Sequence, residues 1–362
     1  MKKTLLLSLA AMTMFISCTM NNNPLLTKST NQYGAPAFDK IKNEHYKPAF
    51  EAAIASAKAE IQAIASDTTA PTFQNTIEAL EYSGADLNNV AQIFYNLNEC
   101  CTNEEMQQIA EEIAPAMTEY QMSVVMNPQL FARVKAVYDQ RESLDLNQEQ
   151  AKLLEKSYKS FVKSGANLPE DKKAEYAKIQ EELSILGLTF GKNVLAATNA
   201  YTLNIKDEAD LEGLPQYVRD MAAAEAQARG VEGWVFTLNQ PSYSPFIKYS
   251  AKRELREEMW KAYNSKCIGG EFDNTDVIKK VIDLSIKDAN IMGYKNYAEA
   301  ALEDRMAKTP ETVDAFLKDL MEKSLPFAKK DVAEIQAYAD ENGFEGKLMP
   351  WDFSYWSEKY QT

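Results

Sequence analysis

Glycine and proline are scarce in this chain, 13 of each in 362 residues. A β-sandwich or barrel needs a turn every ten residues or so, roughly, and these two residues make most such turns. A chain this poor in both is confined to long, uninterrupted elements, and its apolar residues repeat with a helical period. Phe50, Ile54, Ile61 and Ile64 lie on one stripe of an alanine-rich stretch at 47–66, and Ile77, Leu80, Leu87, Val90, Ile93, Phe94 and Leu97 continue the period. Leu130, Val134, Val137 and Tyr138 mark another helix, started by Asn127-Pro128, because proline is tolerated in a first turn. Leu153, Leu154, Tyr158, Phe161 and Val162 mark the next, ending near Gly165. A long helix at 169–195 aligns Tyr176, Ile179, Leu183, Leu186 and Phe190.

Two stretches break the pattern. Tyr201–Ile205 and Trp234–Leu238 alternate with period two, and an alanine-rich helix at 215–229 lies between them. They predict a small antiparallel ribbon set among helices. Helices resume beyond Pro241 and Pro245, with Leu255, Met259 and Tyr263 on one face and Ile278, Ile282 and Ile286 on another. Thr309-Pro310-Glu311 is a helix start with a capping hydroxyl, a first-turn proline and a first-turn acid. The expected fold class is all-α, an elongated helical bundle with one β-ribbon.

Composition narrows the partners. With 39 Lys+Arg against 53 Asp+Glu the net charge is −14, so the chain repels nucleic acid. At the start, Lys2 and Lys3 precede an apolar stretch at 5–16, too short to span a bilayer comfortably. Phe15-Ile16-Ser17-Cys18 resembles a lipobox, which predicts a lipoprotein signal peptide over 1–17 and lipidation of Cys18. The alternative is an ordinary signal peptide with an incidental Cys18. On the first reading 18–33, rich in Asn, Thr and Ser, is a flexible tether, and the protein is exported and lipid-anchored at the cell envelope, facing the periplasm. Cys100, Cys101 and Cys267 remain, and the adjacent pair is expected to be buried in a helix.

The chemistry is constrained by one count: His45 is the only histidine. A His-Glu-x-x-His zinc helix needs two imidazoles one turn apart. Around His45 the sequence is Asn43-Glu44-His45-Tyr46-Lys47-Pro48-Ala49, with no second histidine and with a proline that should disturb a helix. His45 therefore reads as a capping or packing residue. Neither a Gly-x-Ser-x-Gly turn nor a phosphate-binding glycine loop is present, and Gly269-Gly270 lies in a polar connection. Glu111-Glu112 and Glu257-Glu258 read as solvated helix faces. No catalytic or metal-ligating residue can be assigned.

Several stretches nevertheless look familiar, and in order. Asn23-Pro24-Leu25-Leu26, Pro36-Ala37-Phe38-Asp39-Lys40-Ile41-Lys42, His45-Tyr46-Lys47-Pro48-Ala49-Phe50, Pro71-Thr72-Phe73-Gln74-Asn75-Thr76-Ile77 and Phe94-Tyr95-Asn96-Leu97 come first. Arg253-Glu254-Leu255-Arg256-Glu257, Asp273-Asn274-Thr275, Gly293-Tyr294-Lys295-Asn296-Tyr297-Ala298, Leu302-Glu303-Asp304-Arg305-Met306-Ala307 and Trp351-Asp352 with Tyr355 follow. Together they resemble the thimet-oligopeptidase-like family of zinc metallopeptidases, on its peptidyl-dipeptidase and oligopeptidase A side, over its N-terminal part only. The resemblance implies helical peptidases whose channel, between two halves, admits short peptides. It also implies a zinc held by a His-Glu-x-x-His helix and a downstream Glu, whose motif Glu serves as general base. Residues 34–239 would form the N-terminal helical domain and one wall of the channel. Residues 240–362 would begin the catalytic domain and stop short of the zinc motif, so the chain would lack its C-terminal catalytic half. The implied activity is release of C-terminal dipeptides from short peptides, with zinc as the cofactor of the complete enzyme and none bound by this chain. The alternative is a helical peptide- or solute-binding lipoprotein without catalysis. Trp351, Phe353, Tyr355, Trp356 and Tyr360 crowd the last dozen residues and are expected to pack against a partner surface.

Overall fold

The computed structural model describes residues 23–362, so the signal-peptide reading of 1–17 and the lipidation of Cys18 lie outside the described residues. The chain divides into two compact units. One comprises the described residues up to Leu188 together with Lys287–Gly293, and the other comprises Thr189–Ile286 with Tyr294–Thr362.

The first unit is helical throughout. Helix α1 (Asn43–Ser66) packs its alanine-lined face on α3 (Ala85–Cys100) and α4 (Glu104–Val125). Tyr46, Ala49, Phe50, Val90, Phe94, Met106 and Ile113 form their shared core. Alanines at 49, 53 and 57 let the backbones approach, and three aromatic rings fill the remaining space edge to face, Phe94 lying 4.8 Å from Tyr46 and 5.5 Å from Phe50. A second core joins the far end of α1 to α5 (Pro128–Asp139) and α6 (Gln148–Lys163) through Ile61, Phe73, Ile77, Leu130, Val134, Leu154 and Phe161.

The expected continuous helix across residues 77–97 is not continuous. A π-helical turn (Phe73–Glu78) runs into the short α2 (Ala79–Tyr82), and the chain breaks at Ser83-Gly84 before α3 begins. Gly84 has φ +68°, a conformation glycine adopts without the steric cost of a side chain, and Glu60 accepts its N–H. The leucines on its two sides serve different cores, Leu80 the second and Leu87 the first. Pro48 lies inside α1 without ending it. Burial of Tyr46, Ala49 and Phe50 around it outweighs the lost backbone hydrogen bond. Within the described part of 18–33, the start is docked: Leu25 is buried in the first core with Leu26 packed beside it, and the Asn23 amide donates to the His45 carbonyl at 2.8 Å. Residues 30–33 are exposed.

Helix α7 (Glu170–Ala200) is followed by the ribbon expected from the alternation. Strands β1 (Leu203–Ile205) and β2 (Trp234–Phe236) pair antiparallel with Leu203 opposite Phe236 and Ile205 opposite Trp234. Gly233 enters β2 at φ +97°, and a Cβ there would fall 2.2 Å from the Ile205 carbonyl oxygen, so the register depends on a glycine at this corner. The ribbon packs with α8 (Gln216–Ala228), α9 (Gln240–Tyr249) and α10 (Arg253–Asn264) around Leu211, Val218, Phe236, Phe246 and Met259. Pro241 and Pro245, expected to precede the resumed helices, both lie within α9. The N–H of residue 241 would be unsatisfied in a first turn in any case, and buried Phe246 and Ile247 hold the rest.

Helix α11 (Thr275–Ile291) leaves Ile278, Ile282 and Ile286 exposed on their shared face. The short α12 (Tyr297–Leu302) precedes α13 (Pro310–Glu341), which starts as expected, with Thr309 accepting the N–H of Thr312. Only the last turns of α13 are packed: Ile335 and Ala339 meet Tyr355 and Trp356 of α14 (Pro350–Gln361). The terminal aromatics are thus mostly covered within the second unit. Trp351, Tyr355 and Trp356 are buried, while Phe353 and Tyr360 stay partly open. Helix α14 buries one side against α9, α10 and α13, which the clustering of aromatics alone could not reveal.

Candidate functional site

His45 sits in the first turn of α1, where its Nδ1 accepts the Lys42 N–H at 3.1 Å. It is a capping residue, and the exposed Glu44 lies 4.0 Å from its Nε2. Cys100 and Cys101 are exposed, contrary to the expectation of a buried pair. The buried stripe of α3 ends at Phe94, and the two thiols fall on its last residue and its C-cap. Cys267 is half-buried at φ +60°, in a turn beside Gly269 and Gly270. Among the described residues no three His, Cys, Asp or Glu side chains converge in a geometry for a metal. Glu112 accepts from Lys47 at 2.7 Å, and that hydrogen bond holds its carboxyl below the usual range. Glu257 pairs with Lys261, and Glu258 accepts from the Tyr201 hydroxyl.

The most heavily built polar constellation is one that sequence reasoning left unassembled. Asp352, in the first turn of α14, is 0% exposed and lies between two arginines of α10. Arg253 grips it side-on, with Nε at 3.0 and 3.1 Å from the two carboxylate oxygens and Nη2 at 2.8 Å from Oδ2. Arg256, 2% exposed, reaches Oδ1 through Nη2 at 2.9 Å. Its remaining donors meet the Ser250 carbonyl at 2.8 Å and the Trp351 carbonyl at 3.0 Å, and its guanidinium lies 4.1 Å from the Tyr355 ring centroid. The Met349 N–H completes the shell of Asp352 at 3.1 Å. Burial pushes the Asp352 carboxyl up, but the hydrogen bonds from Arg253, Met349 and Arg256 outweigh it and hold the group below the ordinary carboxylate range. Burial draws Arg256 down, and the hydrogen bond to Asp352 opposes it; a guanidinium keeps its proton in a folded protein.

Every oxygen of Asp352 is occupied, so the cluster offers neither a proton acceptor nor an open metal ligand. Its work is positional: it fixes the start of α14 on α10. The signal was present as Arg253, Arg256 and Trp351-Asp352 among the familiar stretches, but nothing local says that residues nearly a hundred positions apart pair.

Concave surface is found elsewhere. In the first unit a groove of about 830 Å³ is edged by Glu112, Glu119, Lys178 and Glu181 over a floor containing Pro115 and Met122. Lys58 pairs with Glu119 at 2.8 Å, as Lys47 does with Glu112, so both carboxylates are held ionised. A second groove, about 670 Å³, runs past Leu80, Val124, Leu153 and Phe161. Neither groove is lined by a histidine or a cysteine.

Among the described residues, the most heavily hydrogen-bonded cluster is thus a framework lock in a helical chain with one two-stranded ribbon. Residues 246–362, which contain the whole Arg253–Arg256–Asp352 cluster, match Peptidase family M3. Over 339 residues, 93% of its length, the chain is 33% identical to a dipeptidyl carboxypeptidase of Escherichia coli (strain K12). It is 32% identical over 342 residues to oligopeptidase A of Salmonella typhimurium, and 30% identical over 350 residues to a probable cytosolic oligopeptidase A of Arabidopsis thaliana. The chain spans about half the length of these relatives, 50%, 50% and 49% respectively. The resemblance read from the ordered stretches is thus to the M3 metallopeptidases.

Proposed function

We propose that this chain is the N-terminal part of a zinc-dependent M3 oligopeptidase, of the peptidyl-dipeptidase kind that releases C-terminal dipeptides from short peptides. The observation that supports this reading is the match of nearly the whole chain to a dipeptidyl carboxypeptidase, together with the M3 match at 246–362. The residues present do not fit a zinc ion: one histidine, committed to a helix cap, cannot supply the pair of imidazoles a zinc helix requires. The metal and the base that activates its water therefore belong to the half of the family's length that this chain does not span. Residues 34–239 serve as the N-terminal helical domain and one wall of the peptide channel, and 240–362 begin the catalytic domain. Nothing in the matched relatives favours a helical solute-binding lipoprotein.

Metal analysis and peptide digestion test the proposal together. The purified chain carries well under one zinc per molecule and leaves oligopeptides intact. Supplied with the unmatched half of the Escherichia coli dipeptidyl carboxypeptidase, it takes up zinc and releases dipeptides from free C-termini. Mass spectrometry of the products separates this outcome from internal cleavage. One tightly bound zinc on the chain alone would overturn the assignment.

Export and anchoring are proposed from the sequence around Cys18, with the first residues directing secretion and acyl chains on Cys18 holding the protein at the envelope. None of the described helices is long and apolar enough to cross a membrane. Cys18→Ala is expected to shift the protein from the membrane pellet to the soluble fraction. Unchanged partition would show that Cys18 is incidental.

A further inference from the structure

Residues 314–334 of α13 are exposed without interruption, about six turns of helix with no buried side chain. They are not uniformly polar. Phe316, Leu317, Leu320, Met321, Leu325 and Phe327 crowd one half of the helix surface, Phe327 being 70% exposed. Six of the charged side chains pair along the helix, as Asp314–Lys318, Asp319–Lys323 and Lys330–Glu334. An amphipathic helix takes most of its stability from packing its apolar face, and a helix left bare over this length has little to hold it.

We propose that the apolar half of α13 is the seat of the polypeptide that M3 relatives carry beyond the length this chain spans, a claim that rests on the M3 reading above. Two facts select this occupant. Helix α13 lies wholly inside 246–362, the segment matched to the family. The relatives hold about as much polypeptide again as the part matched here, enough to supply a covering layer. Lys318, Asp319, Lys323 and Lys330, each paired along the helix, lie on its other half, which leaves the apolar half as the side that docks.

Hydrogen exchange with mass spectrometry tests this on the full chain, alone and mixed with the separately produced unmatched half of the Escherichia coli dipeptidyl carboxypeptidase. Alone, the chain is a monomer, and 314–334 exchange much faster than the packed turn around Ile335 and Ala339. In the mixture a one-to-one complex forms, and exchange across 314–334 slows by about tenfold or more. Phe316→Asp combined with Leu320→Asp weakens the complex by at least about tenfold while the core around Phe236 and Phe246 keeps its protection. Protection of 314–334 in the monomer would overturn the proposal, because the chain would then cover its own face. So would protection that grows with chain concentration alone, which would mark a second copy as the occupant. Failure to form the complex, or a complex in which 314–334 still exchange freely, would overturn it as well. The activity reading is scored separately: a complex that protects α13 but hydrolyses nothing sinks that reading and not this one. A hydrolysing complex with α13 bare does the reverse.

Discussion

Asp352→Asn is expected to destabilise the second unit by about 3–5 kcal/mol, because it leaves Arg256 buried with its charge uncompensated. The asparagine keeps the shape but replaces one acceptor oxygen by an NH2 donor, so the loss reports on charge and hydrogen bonding rather than on packing. Arg253→Ala is the informative contrast. Its side chain is 40% exposed, and water can replace much of what it gives Asp352, so a much smaller loss is expected. Replacing Asp352 and Arg256 together by apolar residues of similar volume should recover much of the loss, since a buried pair costs desolvation that apolar packing avoids. Denaturant unfolding gives the magnitudes, and exchange protection in α14 shows where they act.

The same carboxylate sets an acid limit. Its folded pKa is held below the ordinary value of about 3.9, so the unfolded chain binds this proton more readily. The stability it contributes is complete above that ordinary value and is lost as the pH falls through the lower folded value. Acid unfolding of the native chain should therefore show a component below about pH 4 that the asparagine variant lacks.

Legibility in the sequence followed range. Helix starts that rest on adjacent residues, Asn127-Pro128 and Thr309-Pro310, were readable because capping is a contact over three positions. The ribbon was readable because period-two alternation has no helical explanation. Features decided by distant packing were not readable. Prolines at 48 and 245 signal a break, yet both sit inside helices held by buried neighbours. The break that does occur, at Gly84, is silent because the apolar spacing of the sequence runs through it. The aromatic cluster at 351–360 suggested a surface awaiting a partner, and the partner is the unit's own α10 and α13, clamped by Arg256 and Asp352. The bare surface lies instead on α13, whose stripe reads like that of any core-facing helix. As for the site, the single histidine rules out a two-histidine His-Glu-x-x-His motif in this sequence, while the arginine–aspartate lock needed coordinates to be seen.

Phe94→Ala should cost the first unit about 3–5 kcal/mol. The ring is fully buried where α1 and α3 meet, with Tyr46, Phe50 and Tyr95 centroids within 4.8, 5.5 and 5.2 Å. Removing it deletes three edge-to-face contacts and opens a cavity that its surroundings are poorly able to close. The neighbouring alanines at 49, 53 and 57 have no length to extend, and Tyr46 is itself buried and packed. Phe94→Leu, which refills most of the volume, should cost well under half as much. If the alanine variant lost only what simple transfer of the ring predicts, around 1.5–3 kcal/mol, the helices would have to have moved together. Loosening would then appear as faster exchange across α1 and α3 rather than as a cavity. A loss near the upper figure with exchange accelerated only close to residue 94 would show a rigid frame around the cavity. Such a frame would also hold the shape of the groove edged by Glu112 and Glu119.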